Sequence, residues 1–314
     1  MSTPEVVAEV VRSGFVEGHH YGSVVALDPH GSVLWSVGDV DSTMLPRSTN
    51  KPTQAVAMLR CGLDLPGDLL ALAAGSHSGE DFHLDGVRRI LADAGLDESA
   101  LQTPPDYSVE DWVRVDALRG GVQKSPIQMN CSGKHAAMLA TCVLNGWETR
   151  TYLEAEHPLQ QVIRGTLQDL TGVEVTVTAV DGCGAPLLSS SLTGLAGAFR
   201  HLALAGGQTD EHRVATAYRE YPEWASGTRR DEAQLLRALP GAIGKAGAEA
   251  CYAVALPDGH AVALKVADGS PRARAVVMAG ALRRLGVDAD ALTGIGEHVL
   301  LGGGRPVGAI RSTL

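Results

Sequence analysis

Aromatic residues are scarce, at 4% of the 314-residue chain, so a buried core has to be assembled from alanine, valine and leucine. Basic tracts are absent and the formal net charge is −10. Nucleic-acid binding draws its non-specific affinity from clustered lysine and arginine, so these features argue against a nucleic-acid partner. No apolar run approaches the roughly 20 residues of a membrane-spanning helix, Ala275 to Leu282 being far shorter. Met1 to Ser23 carries Glu5, Glu9, Arg12 and Glu17 among its valines and lacks the apolar stretch of a secretory leader. A cytoplasmic protein with no membrane association is the expectation. Disulfide frameworks are excluded as well, because Cys61, Cys131, Cys142, Cys183 and Cys251 are few for this length and odd in number. Internal repeats, low-complexity segments and clean linkers are all missing, so residues 1–314 read as a single compact unit.

What is present is the balance of an ordinary globular chain, with 45% hydrophobic and 20% charged residues. Ser23 to Leu27 and Ser32 to Val37 are β-rich runs around Asp28-Pro29-His30-Gly31, which reads as a hairpin. Cys251 to Leu256 and His260 to Val266 flank Pro257-Asp258-Gly259 as a second hairpin, Arg272 to Leu285 follows as a helix, and Val307 to Arg311 suits a last strand. Between the hairpins, Thr53 to Cys61 has helical composition and Pro52 fits only a first helical turn, which puts Ser48 at or just before a helix N-terminus. The fold class expected is α/β, of the α+β kind. An antiparallel sheet would come from about 1–50 and 240–314, with a helix-rich middle over 51–239.

Four short segments carry candidate chemistry. Ser48-Thr49-Asn50-Lys51 fits Ser-x-x-Lys, in which a neutral lysine amine beside the hydroxyl takes its proton. A plain helix cap with a solvated lysine fits the same four residues. Asn130-Cys131-Ser132-Gly133-Lys134-His135 and Asp181-Gly182-Cys183-Gly184 each place a cysteine in a polar, glycine-containing loop. Two cysteines are too few for a structural zinc site, and Lys134 and His135 are the nearest further ligands; two buried free thiols are the alternative. Gly75-Ser76-His77-Ser78-Gly79-Glu80, with His83 close behind, gathers hydroxyls, imidazoles and a carboxylate into one loop, or else caps a helix beginning near Asp81. Lys245-Ala246-Gly247 and Lys265 complete the set, an exposed lysine being the ordinary explanation of each.

In this combination and order the segments resemble the zinc-containing L-asparaginase II family of rhizobial type, a relative of the serine β-lactamase and glutaminase superfamily. The resemblance extends over nearly the whole chain. It implies a serine β-lactamase-like fold and hydrolysis of L-asparagine to aspartate and ammonia. Ser48 would be the nucleophile and Lys51 its base, with Ser76 and Asp181 in support and Lys245 as a second lysine whose place Lys265 could equally take. Arg47, His77, Glu80 and Asn130 are expected around the substrate. The resemblance further implies Zn2+ held by Cys131, Lys134 and Cys183 with a water, and a homodimer. A glutaminase, a β-lactam-type serine hydrolase and a non-catalytic zinc-binding relative are the alternatives.

Overall fold

The computed structural model describes residues 5–314. Strands β1 (Glu5–Arg12), β2 (Phe15–Leu27) and β3 (Val33–Val37) come first. The middle holds helices α1 (Lys51–Arg60), α2 (Gly67–Ala74), α3 (Asp81–Asp93), α4 (Asp111–Arg119), α5 (Ser132–Leu144) and α6 (Pro158–Thr171). A two-stranded ribbon, β4 (Thr178–Val180) with β5 (Pro186–Leu188), precedes α7 (Leu192–Leu204), α8 (Asp210–Glu220), α9 (Pro222–Ala225) and α10 (Asp231–Ala238). The C-terminal part comprises β6 (Ile243–Ala246), β7 (Cys251–Ala255), β8 (Ala261–Val266), α11 (Pro271–Arg284), β9 (His298–Gly302) and β10 (Arg305–Ser312).

Eight strands form one antiparallel sheet in the order β6-β7-β8-β2-β1-β10-β9, with β3 paired to β2. The sheet is drawn from both chain ends around a helical middle, as expected. Long β2 makes this possible, because its first half pairs with β1 and its second with β3 and β8. The two chain ends meet where Ala8 lies opposite Ser312.

Both expected hairpins form. In the first, the Asp28 carboxylate accepts from the amides of His30 and Ser32 at 2.8 and 2.9 Å, and Gly31 takes a φ of +88°. The structure adds what the periodicity did not indicate: β2 begins at Phe15, and β1, β6 and β9 are strands. Every residue of β6 and β7 is buried, so this half of the sheet is covered on both faces. Helix α7 packs on β2, β7 and β8, and α11 on β8 and β10. The core is the alanine, valine and leucine assembly that the composition requires, and Tyr152, Phe199, Tyr218 and Tyr252 are its fully buried aromatics.

Candidate active site

Arg47 to Asn50 form a 3₁₀ turn that runs directly into α1, with Pro52 in the first helical turn where its missing N–H breaks no bond. Arg47 enters this turn at φ +53°, a left-handed conformation that a side chain adopts only when its surroundings impose it. Those surroundings are Asp181, whose Oδ1 accepts from Arg47 Nε at 2.8 Å, and Glu249, whose Oε1 accepts from Nη1 at 3.4 Å. Asp181 is held in turn by the Gly182 amide at 2.9 Å. Arg47, one of the residues expected around the substrate, is thus engaged by two carboxylates, and the strained turn presents half-buried Ser48 to a cleft of about 450 Å³.

Loops from across the fold complete that cleft: Ser76 after α2, Asn130 and Cys131 before α5, Gly182 and Cys183 from the β4–β5 turn, and Ala246 to Ala248 at the end of β6. Two glycines permit the close approach of these loops. A Cβ at Gly75 would lie 2.2 Å from the Ala225 carbonyl oxygen, and one at Gly247 would lie 2.6 Å from Thr49 Oγ1.

Behind the wall sits Lys51, 1% exposed. Its amine donates to the Gly75 carbonyl at 2.6 Å, to Ser76 Oγ at 2.9 Å and to Cys131 Sγ at 3.1 Å. Ser76 is therefore the hydroxyl the amine binds, rather than Ser48, whose carbonyl accepts from the Lys51 backbone N–H. Lys51 ties the hydroxyl and thiol walls of the cleft together through one charge-bearing group.

Cys131 and Cys183 are both buried and hydrogen-bonded to each other. The hydrogen bond from Cys131 pushes the Cys183 thiol far below its ordinary range, with the Lys134 ammonium and His135 adding to the effect, while the same pairing and burial push Cys131 up. Lys134 donates to Cys183 Sγ at 3.3 Å. Burial opposes its charge, but Cys183, Cys131 and Asp181 outweigh burial and raise its pKa. Next to it, His135 Nδ1 contacts the Tyr152 hydroxyl at 2.7 Å. Among the described residues no group of three or more His, Cys, Asp and Glu side chains is arranged for a metal ion. The two sulfurs and the Lys134 amine nevertheless lie together; a thiolate is a zinc ligand, and a lysine amine has a lone pair to offer only when neutral.

His77 and Glu80 stand away from the cleft surface. His77 is fully buried; its Nδ1 accepts from the Gly79 amide at 3.1 Å. The Ser132 hydroxyl donates to the Ile127 carbonyl at 2.7 Å, so at its 2.8 Å contact with that oxygen His77 Nε2 is the donor. Burial, together with His83 and Lys51, holds this imidazole neutral. Glu80 accepts from Ser78 Oγ at 2.6 Å and from the Thr228 amide and hydroxyl at 2.9 and 2.8 Å. Burial works against its charge, but these bonds lower its pKa. Both residues brace the Ser76 loop, whereas the other two expected substrate neighbours, Arg47 and Asn130, line the cleft.

Of the two lysines left open, Lys245 lies beside the cleft. It is fully buried on β6 and donates to Glu232 Oε1 at 2.6 Å and to the Ala246 carbonyl. Lys265, on β8, reaches only the Glu249 carbonyl at 3.3 Å. Burial lowers the Lys245 pKa to about 8 against the attraction of Glu232. Glu232 also accepts from Arg230 at 2.9 Å and from the Ala246 amide at 3.0 Å. Arg229, Arg230, Asp231 and Arg274 line the same cleft and were not singled out in the sequence. Arg274 clamps Asp231 at 2.8 and 2.7 Å across 43 positions, a pairing only the fold creates.

The model of the family described as L-asparaginase II matches residues 8–312, whereas no curated protein matches. Solved structures similar to the chain include a β-lactamase from Mycobacterium bovis (15% identity over 87% of this chain and 94% of that one, TM-score 0.42). Others are simvastatin synthase from Aspergillus terreus (12%, 78% and 86%, TM-score 0.41) and a Bacillus glutaminase (11%, 78% and 83%, TM-score 0.34). These likenesses are distant and fix neither activity nor substrate. The family match spans nearly the whole chain, and on that ground the protein belongs to the L-asparaginase II family and is an amidohydrolase of the asparaginase type.

Proposed function

We propose that the protein hydrolyses the side-chain amide of L-asparagine, with Ser48 as nucleophile, Lys51 as proton carrier and a zinc ion beside them. The observation that supports this reading is that Ser48 and Ser76 line one cleft and that the buried Lys51 amine behind it donates to Ser76 Oγ. Ser48 Oγ attacks the amide carbon, and its proton passes to the Lys51 amine, which accepts it once it has released one of its own, with Ser76 Oγ as the hydroxyl nearest that amine. Lys51 then gives that proton to the amide nitrogen as the C–N bond breaks, and ammonia leaves. Water, losing its proton to the same amine, hydrolyses the Ser48 ester and releases aspartate. Backbone N–H groups of the turn beginning at Arg47 favour the oxyanion.

Cys131, Lys134 and Cys183 would hold the zinc. To do so the cysteines have to be thiolates and the Lys134 amine neutral, and that set cancels the charge of a dication, the least costly state to bury. When bound, the ion supplies a Lewis acid that orients a substrate oxygen. The test is ammonia release from L-asparagine, L-glutamine and a chromogenic β-lactam, with and without chelator, beside metal analysis. Release from L-asparagine that disappears in Ser48→Ala supports the reading. Near-normal turnover by Ser48→Ala, or zinc bound with no release, refutes it.

A further inference from the structure

The cleft is lined by four arginines, and three are already matched to carboxylates. Arg47 is bound by Asp181 and Glu249, Arg230 by Glu232 at 2.9 Å and Glu110 at 3.4 Å, and Arg274 by both oxygens of Asp231. Among the described residues, Arg229 is the cleft-lining guanidinium with no carboxylate partner and no side-chain hydrogen bond. Instead its guanidinium carbon sits over the Trp112 ring, 4.5 Å from the centroid. Stacking on a ring face leaves the N–H donors at the guanidinium edge free, and that edge matches a carboxylate bidentately.

The backbone carrying Arg229 is fixed on both sides. Before it, Thr228 is held twice by Glu80; after it, Arg230 and Asp231 are held by their own ion pairs. A cation fixed in this way loses little freedom on binding, the condition for using it as an anchor. Resting on the amidohydrolase reading above, the geometry points to Arg229 as the residue that binds the α-carboxylate of the substrate. The substrate is then a free α-amino acid amide, and an asparagine whose carboxylate is masked by an ester or a peptide bond is discriminated against.

Two measurements test this in Arg229→Gln, whose exposed position leaves the fold intact, as a melting curve checks. Calorimetric binding of L-aspartate needs no turnover: the variant is expected to bind about tenfold to a hundredfold more weakly than the wild type, with Arg229→Lys between them. Equal binding by the two proteins, or no binding by the wild type, overturns the inference. Ammonia release is then compared for L-asparagine and its α-methyl ester. The wild type prefers the free acid, and the variant loses that preference through KM with kcat little changed. An undiminished preference in the variant overturns the inference, whereas aspartate binding lost in the variant but no turnover by the wild type would sink only the reaction reading.

Discussion

Glu232→Gln is expected to destabilise the protein by an amount that grows as the pH falls. In the wild type Lys245 is fully buried and its pKa, lowered chiefly by burial, is already about 8. The Glu232 carboxylate, 2.6 Å away, keeps it from falling further. Without that charge the folded variant sheds the lysine proton near neutral pH rather than bury an unpaired ammonium, because buried lysines reach pKa values of about 5–6. The sign follows from proton counts. Between about pH 7.5 and pH 6 wild-type Lys245 is protonated both folded and unfolded. Glu232 is ionised in both, since Lys245, Arg230 and Arg274 outweigh burial and hold its pKa below the usual carboxylate range. Neither group then gives the wild type a slope. In the variant the unfolded chain binds one more proton than the folded one, so stability falls by ~1.4 kcal/mol per pH unit, or roughly 2 kcal/mol over that window. The amide nitrogen cannot accept, so the bond from either Arg230 or the Ala246 amide is lost as well, which adds about 1–3 kcal/mol that does not vary with pH. Urea unfolding of both proteins across this range, followed by circular dichroism, measures the difference directly. A destabilisation that stays constant, or shrinks toward acid, would refute the reasoning.

Two further perturbations probe the loop that carries Ser76. Burial lowers the His83 pKa from 6.5 to about 4, despite its bond to the Glu223 carbonyl, so the folded chain resists a proton that the unfolded chain accepts. Stability present above the unfolded value is lost as the pH falls toward the folded one, by up to about 3 kcal/mol, and His83→Gln should flatten that acid limb in melting curves; an unchanged limb contradicts it. Gly75→Ala forces a methyl against the Ala225 carbonyl, 2.2 Å away, and displaces Ser76 from the Lys51 amine. A folded variant should lose at least about tenfold in kcat, since misplacement of about 1 Å can cost a hundredfold. Wild-type kcat in that variant would show that the Lys51–Ser76 contact is dispensable.

Much of the sheet was legible because turn chemistry is local. Asp28 to Gly31 and Pro257 to Gly259 mark their hairpins in a few residues each, and Pro52 fixes the start of α1. Strand β1 was hidden because Val6, Val7, Val10 and Val11 recur at helical spacing, and bulges at Val6/Ala8 and Val10/Val11 break the two-residue alternation. Strand β6 is four residues long and contains a glycine and a lysine, so it has no strand signature. At the site, Ser48, Ser76, Asn130, Cys131, Asp181 and Cys183 stand in unusual local sequences and do come together. Arg229 to Asp231 look like a charged turn, and their partners lie far along the chain. The bracing work of His77 and Glu80 depends on Ser132 and Thr228, which no local pattern connects to them.

The pairing of β1 with β10 bears on how the protein is made. A nascent chain emerges from its N-terminus, so β1, β2 and β3 are exposed before β6, β8 or β10 exists. The 206 residues from Val37 to Ile243 (243 − 37) take roughly 10–40 s to synthesise at 5–20 residues per second. During that interval the valine-rich faces of β1 and β2 lack both lateral neighbours and the α11 cover, while the helices between can already pack locally. The sheet is consequently the last layer to close, and closing it requires contacts across almost the full length of the chain, the kind of pairing that folds slowly. Until then the apolar faces of β1, β2 and β3 are the segments most exposed to association with other chains.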